Sequence, residues 1–86
     1  MNATTNKAAM SAAVSRWFEE AADMPAEKAA RHLNLGADRI DNFIRILGRN
    51  DLPTPAHLEG LTYWSLSEQS DRLRQAAFEY ERKAAA

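Results

Sequence analysis

The shortage of β-branched residues is the feature of this sequence that most restricts its fold. One Val, three Ile and four Thr are spread over 86 residues, whereas Ala occupies 17 positions. β-branched side chains suit strands and lose rotamer freedom in helices, and Ala is the residue that most favours a helix. The sequence therefore predicts an all-α fold with no sheet.

Apolar spacing and helix-capping residues divide the chain into five predicted helices. Pro25 is expected to end one helix and open the next, because the residue before Pro avoids the α conformation and Pro fits the first helical turn. Asn34 and Gly36 accept the left-handed conformation that closes helices, which predicts a tight turn there. Ser65 and Glu68 have the spacing of a capping box and are expected to open a longer C-terminal helix. The predicted helices span 5–22, 25–33, 37–47, 55–62 and 66–83.

The large apolar residues are enough for one small core in a single domain covering 1–86. They number 22, and a chain this short buries only about 60–65% of its surface on folding. We expect Tyr63 and Trp64 to clamp the last two helices together. The residues predicted to be mostly buried are Val14, Trp17, Phe18, Ala30, Leu33, Ile40, Phe43, Leu47, Leu58, Leu61 and Leu73.

The last predicted helix carries an apolar seam. Leu66, Leu73, Ala77 and Tyr80 recur at heptad-like intervals, a period that is typical of coiled-coil packing. The seam is more apolar than a thin five-helix core requires, and a helix of this length is roughly 27 Å long. We therefore predict a homodimer in which 66–83 is the oligomerisation helix and these four residues form the interface.

Composition excludes several classes of function. The absence of Cys rules out a disulfide framework, a thiolate nucleophile and a zinc–thiolate site. The 11 basic and 12 acidic residues nearly cancel, which excludes a polycationic nucleic-acid coat. No phosphate-binding loop or catalytic-triad spacing is present, so we expect no enzymatic activity, no metal and no cofactor. No run approaches the ~20 apolar residues of a membrane span, and the N-terminal segment is too poor in large apolar residues for a signal peptide, so we expect a cytoplasmic protein.

One segment has a spacing with functional meaning. Ala30 is a small residue, Asn34 follows four positions later, and Ile40 stands ten positions after Ala30. In a helix-turn-helix, two short helices cross at a small residue and are joined by a turn of three to four residues. The remaining apolar positions are occupied by Leu33, Leu35 and Phe43. We therefore expect a helix-turn-helix-like unit at about 25–47, inside a core that covers 25–64.

With one predicted helix before it and two after it, this segment resembles the lambda-repressor-like DNA-binding domains, and among them the small phage lysogeny activators and repressors. The resemblance implies a dimeric transcriptional regulator of phage or prophage type that binds duplex DNA. The helix at 37–47 would enter the major groove, where Asn42 is the expected base reader because Asn can bond adenine twice. Arg39 and Arg45 are expected to contact bases or phosphates. Lys28, Arg31 and Arg49 are expected to bind phosphates.

A second interpretation uses the same helices without nucleic acid. Small inhibitors, antitoxin-like partners and phage-encoded modulators of host proteins share this size and charge balance, so a helical protein-binding modulator is the alternative function. Asp38 and Asp41 would repel phosphates, but as N-cap and third residue of a helix they would stabilise its start. An exposed Trp64 would favour a protein partner.

Overall fold

The computed structural model describes residues 3–49 and 51–86, and every regular element in this part of the chain is helical. Three α-helices are present: α1 (Ala3–Ala22), α2 (Ala26–Leu47) and α3 (Tyr63–Ala85). A 3-10 turn (Ala56–Leu58) lies between α2 and α3. The predicted all-α class is confirmed, whereas the prediction of five helices is wrong.

α2 is one unbroken helix of 22 residues that passes through the position of the predicted turn. Residues 34–36 are helical, and Gly60 is the only described residue with a positive φ, at 82°. Gly36 provides space rather than a left-handed turn, because a Cβ atom there would lie 2.9 Å from two ring atoms of Trp17. The predicted helix-turn-helix-like unit at 25–47 is therefore not formed. The glycine that suggested a turn lets α1 pack closely against a continuous α2.

α1 and α2 are antiparallel neighbours joined by the short connection at 23–25. The Trp17 ring of α1 packs at Gly36 in the middle of α2. Closer to the connection, Nε2 of His32 lies 3.2 Å from Oε1 of Glu20. Both contacts lie on the same side of α2, which leaves its other sides for α3 and for solvent.

α3 also runs antiparallel to α2 and shares with it the largest helix–helix interface of the described chain. Asp41 near the C-terminal end of α2 contacts Ser70 near the start of α3, and Asn34 contacts Glu81 near its end. The resulting bundle is elongated, with extents of 46 × 23 × 16 Å. The central element of the molecule is thus α2, with α1 and α3 packed on it.

The core is built mainly from small and branched aliphatic residues of α2 and α3. Of the residues predicted to be buried, seven are buried and four, Trp17, Phe18, Phe43 and Leu47, are only partly covered and pack at the edge of the core. Because the bundle is only one helix thick on each side of α2, large rings cannot be enclosed on all sides. The buried apolar residues are Val14, Ala21, Ala29, Ala30, Leu33, Ala37, Ile40, Leu58, Leu61, Leu66, Leu73 and Ala77.

The connection between α2 and α3 is largely irregular, so the helix predicted at 55–62 is wrong. Only the 3-10 turn forms, and Gly60 then takes the left-handed conformation that stops it. Asn6 of α1 holds this connection, since its Nδ2 group donates hydrogen bonds to the carbonyl oxygens of Ala56 and Glu59, both at 2.8 Å. The side chain of Leu58 is buried beneath the turn.

α3 begins three residues earlier than predicted. Thr62 is its N-cap, and Ser65 is the third helical residue of the capping box. The Ser65 N–H donates to Oγ1 of Thr62 at 3.1 Å, and the Thr62 N–H donates to Oγ of Ser65 at 3.3 Å. The predicted box at Ser65 and Glu68 is therefore wrong, because Ser65 is used inside an earlier box. As a consequence, Tyr63 and Trp64 belong to the first turn of α3, where they do not clamp two helices together.

Candidate functional site

Four of the predicted DNA contacts share one exposed face of α2. Lys28, Arg31, Arg39 and Asn42 follow each other at intervals that return to the same side of a helix, with exposed Leu35 among them. From Lys28 to Asn42 this row, which we call the basic face, is about 21 Å long. The predicted turn would have divided these residues between two helices. The continuous α2 instead places them in one line.

The other two predicted DNA contacts lie beyond the C-terminal end of the basic face. Arg45 is exposed near the end of α2 and contributes a favourable charge to Asp41. Arg49 follows α2 and is engaged by Asp51, with Nη2–Oδ2 and Nε–Oδ1 distances of 2.6 and 3.0 Å. These two hydrogen bonds raise the pKa of Arg49 and lower that of Asp51. A phosphate would have to displace Asp51 to reach the guanidinium.

Asp38 and Asp41 face α3 and are bridged by one guanidinium. Nη2 of Arg74 donates to Oδ1 of Asp38 at 2.8 Å and to Oδ2 of Asp41 at 2.5 Å, and Oγ of Ser70 donates to Oδ1 of Asp41 at 2.6 Å. The prediction that these aspartates open a helix is wrong, because α2 starts 12 residues before Asp38. Both carboxylates are paired with Arg74 across the α2–α3 interface, but Asp38 is itself exposed and lies two turns after Arg31 on the same side of α2.

The pKa of Asp41 reflects this bridge. Partial burial pushes the pKa upward, but the Ser70 hydrogen bond and the Arg74 guanidinium outweigh it, so the pKa lies below its ordinary value. The hydrogen bonds that Arg74 donates to Asp38 and Asp41 raise the pKa of Arg74. The bridge is therefore an interaction of charged groups at neutral pH.

The seam assigned to a dimer interface is used inside the single chain. Leu66, Leu73 and Ala77 are at most 1% exposed, and they belong to the side of α3 that packs against the rest of the core. Tyr80 is partly buried, and Nζ of Lys83 lies 5.2 Å from its ring centroid. The α2–α3 packing accounts for the apolar seam without a second copy, so a homodimer stays a prediction that would need another face.

The outer side of α3 carries the most exposed large aromatic side chain described, that of Trp64. It is 79% exposed, and its ring meets that of Tyr63 edge to face at a centroid distance of 5.4 Å. Seven residues, or about two helical turns, after Trp64 the same side of α3 carries Asp71. Seven residues further it carries Phe78, which is 57% exposed. We call the row Trp64, Glu68, Asp71, Gln75 and Phe78 the aromatic face.

Sequence reasoning misplaced Trp64 and did not single out Phe78 as a surface residue. The position of Trp64 could have been predicted from Thr62, which precedes Ser65 by three positions and forms an earlier capping box with it. With α3 starting at Tyr63, the spacing of Leu66, Leu73 and Ala77 assigns Trp64 and Phe78 to the opposite side of the helix.

No cluster of three His, Asp or Glu side chains suited to a metal ion forms within residues 3–49 and 51–86. None of the helices in the described ranges is both long and apolar enough to span a membrane. Comparison of the chain with protein-family models, with curated proteins and with solved structures gave no significant match.

Proposed function

We propose that this chain is a small protein-binding module that contacts its partner through the aromatic face of α3. The observation that carries the proposal is the 79% exposure of Trp64, beside a Tyr63 that is 56% exposed. Trp and Tyr are the residue types that most often dominate binding energy at protein interfaces. Trp64 has an edge-to-face contact with Tyr63 but is not part of the described core.

The energy available at Trp64 is sufficient for a binding hot spot. A Trp side chain buries about 150–250 Å² when it is enclosed, and at ~25 cal/mol per Å² this is worth roughly 4–6 kcal/mol before the costs of association. Phe78 lies about 21 Å from Trp64 along the same side of α3 and would provide a second anchor. The partner is expected to present an apolar groove that accepts one side of a helix.

The charges between the two aromatic residues restrict the partner further. Glu68 and Asp71 are exposed, and neither has an ion pair within the described part of the chain. Basic residues along the rim of the partner's groove would complement them and would speed association. The proposed partner is thus a protein with an apolar groove flanked by Lys or Arg.

Crosslinking followed by affinity measurement tests this proposal. A photoreactive amino acid in place of Gln75 on the aromatic face is expected to capture a defined protein in the native host, and the same amino acid in place of Asn42 on the basic face is not. With the purified partner, Trp64→Ala should weaken binding by about 30-fold or more, which corresponds to a hot spot of roughly 2 kcal/mol.

Leu52→Ala is the matched control, because Leu52 is also a large exposed apolar residue but lies outside α3. It should change the affinity by no more than about twofold, as is usual for surface substitutions. If both variants bind like the parent chain while remaining folded, the aromatic face is not the binding site and the proposal is wrong.

A second candidate function is contact with nucleic-acid phosphates through the basic face of α2. It is favoured by the pairing of Asp38 and Asp41 with Arg74, which offsets the negative charge that these carboxylates would otherwise present to phosphates. Anisotropy titrations against random duplex DNA should then show binding that weakens as salt is added and that Arg31→Gln reduces. Lack of binding at low salt by the parent chain would exclude this candidate.

A further inference from the structure

A cleft opens between α1, the C-terminal half of α2 and the 3-10 turn, on a different part of the molecule from the aromatic face. Its volume is about 270 Å³. The walls are apolar and include Met10, Trp17, Phe43, Leu58 and Leu61. An apolar cavity of about 150 Å³ is large enough to hold benzene, so this cleft has room for an aromatic ring with substituents.

One end of the cleft is formed by Asn6, whose amide is only half satisfied. Both hydrogens of its Nδ2 group are used by the carbonyl oxygens of Ala56 and Glu59. The residue is 3% exposed, and its Oδ1 is buried without a hydrogen-bond partner among the described residues. Because a buried unpaired acceptor is unfavourable, a donor that enters this end of the cleft gains more than a donor in water does.

Arg39 contributes a fixed positive charge to the lining of the cleft. Arg39 is exposed at its mouth and has no ion pair within residues 3–49 and 51–86. His57 also lines the cleft, and its ring meets Phe43 edge to face at a centroid distance of 6.1 Å. No acidic residue lines the cleft itself, although Glu20 lines a neighbouring groove that shares Ala13, Trp17 and Arg39 with it. Within the cleft, the charge of Arg39 therefore complements an anion.

We infer that this cleft binds a small aromatic carboxylate that carries a hydroxyl or N–H donor on the far side of its ring. The ring lies between Trp17, Phe43 and the aliphatic walls, the carboxylate meets Arg39, and the donor reaches Oδ1 of Asn6 after a small adjustment of the side chains above it. Asn6 and Ala13, which both line the cleft, are two turns apart on α1, or about 10 Å. This span suits a single ring with a substituent at each end.

Four probes that differ by one group at a time test the assignment. They are 4-hydroxyphenylacetate, phenylacetate without the donor, 4-methylphenol without the carboxylate, and toluene without either. In ¹⁵N–¹H NMR titrations of the whole chain, 4-hydroxyphenylacetate should shift the Asn6 side-chain amide and the Trp17 indole N–H in a saturable way. Removing the donor or the carboxylate should each weaken binding by roughly 3–10-fold.

Paired variants locate the site. Ala13→Leu fills the cleft and should abolish saturable binding, whereas Ala12→Leu, on an exposed position of the same helix outside the lining, should not. Arg39→Gln should weaken the binding of 4-hydroxyphenylacetate but leave the binding of 4-methylphenol unchanged. Arg31→Gln should change the binding of neither probe. If all four probes bind alike, or if the shifts do not saturate, the inference is wrong. The result is independent of Trp64, so it is separable from the protein-binding proposal.

Discussion

At the scale of single residues, the same residue type can serve two different physical needs. Glycine permits a left-handed backbone, and it also permits close approach of another group. Gly60 serves the first need and Gly36 the second. The sequence around Gly36, with Asn34 two positions earlier, favours a turn, and the Trp17 ring that explains the glycine lies on a different helix. Local sequence therefore could not distinguish the two uses.

Gly36→Ala should destabilise the protein, although Ala normally stabilises a helix by about 1 kcal/mol relative to Gly. The new Cβ would lie 2.9 Å from two atoms of the Trp17 ring, so α1 must move or the ring must rotate. We expect a net loss of roughly 1–2 kcal/mol, the cost of overpacking minus the gain in helix propensity, measured by chemical denaturation.

Gly48→Ala is the matched control for this substitution. A Cβ at Gly48 meets its nearest atoms, the carbonyl oxygens of Arg45 and Ile44, at 3.6 Å, which is an ordinary contact. Its φ of −76° also suits Ala, so the free energy of unfolding should stay unchanged or rise slightly. If both substitutions change the free energy of unfolding equally, the contact with Trp17 does not determine the effect of Gly36→Ala.

At the scale of elements, the sequence predicted helix class and apolar sides better than helix boundaries. Val14, which was predicted to be buried, and the seam residues Leu66 and Leu73 lie on the buried sides of their helices, because amphipathic spacing depends only on local sequence. Where a helix ends is decided by competition between neighbouring signals, as for Thr62 and Ser65. Which residues share the basic face could be predicted only after α2 was known to be continuous, and the aromatic face depended on where α3 begins.

The bridge between α2 and α3 predicts a pH dependence of stability. The pKa of Asp41 is lower in the folded chain than its ordinary value near 3.9, so the folded state gains stability above that pH and loses it as pH falls through the folded pKa. The thermal midpoint of the parent chain should therefore drop between about pH 5 and pH 3. In Asp41→Asn this drop should be smaller, because the neutral amide has no such proton linkage.

Asp71→Asn provides the comparison for Asp41→Asn, since Asp71 is an exposed carboxylate of α3 without a partner among the described ion pairs. Its pH profile should follow that of the parent chain. A profile of Asp41→Asn that also coincides with the parent's would indicate that the Arg74 bridge makes no contribution in solution.

At the scale of the whole molecule, the stability of the bundle depends on one interface more than on the others. α2 and α3 share the larger part of the core, and α1 adds Val14, Ala21 and the edge of Trp17. This arrangement explains why an apolar seam on α3 suggested a dimer. The seam does have a helical partner, but the partner is α2 of the same chain.

Leu73→Ala should therefore act on the folding of the single chain. Leu73 is fully buried, and truncation of a buried Leu to Ala costs about 2–5 kcal/mol. We expect the thermal midpoint to fall by the same amount at every protein concentration, which can be measured by circular dichroism over a hundredfold dilution series. A loss that grows on dilution would instead place Leu73 in an interface between copies.

We expect the bridge from Arg74 to Asp38 and Asp41 to select one alignment of α2 and α3. The buried sides consist of Ala, Leu and Ile in α2 and of Leu and Ala in α3, so a slide of α3 by one turn, about 5.4 Å, would again bring aliphatic groups into contact. In the slid alignment Arg74 would leave both Asp38 and Asp41, and Ser70 would leave Asp41. A polar residue at an apolar helix interface commonly selects one register in this way. Arg74→Met should therefore broaden the NMR resonances of α3 through exchange between alignments, and Arg82→Met, which removes an exposed pair with Glu79, should leave them sharp.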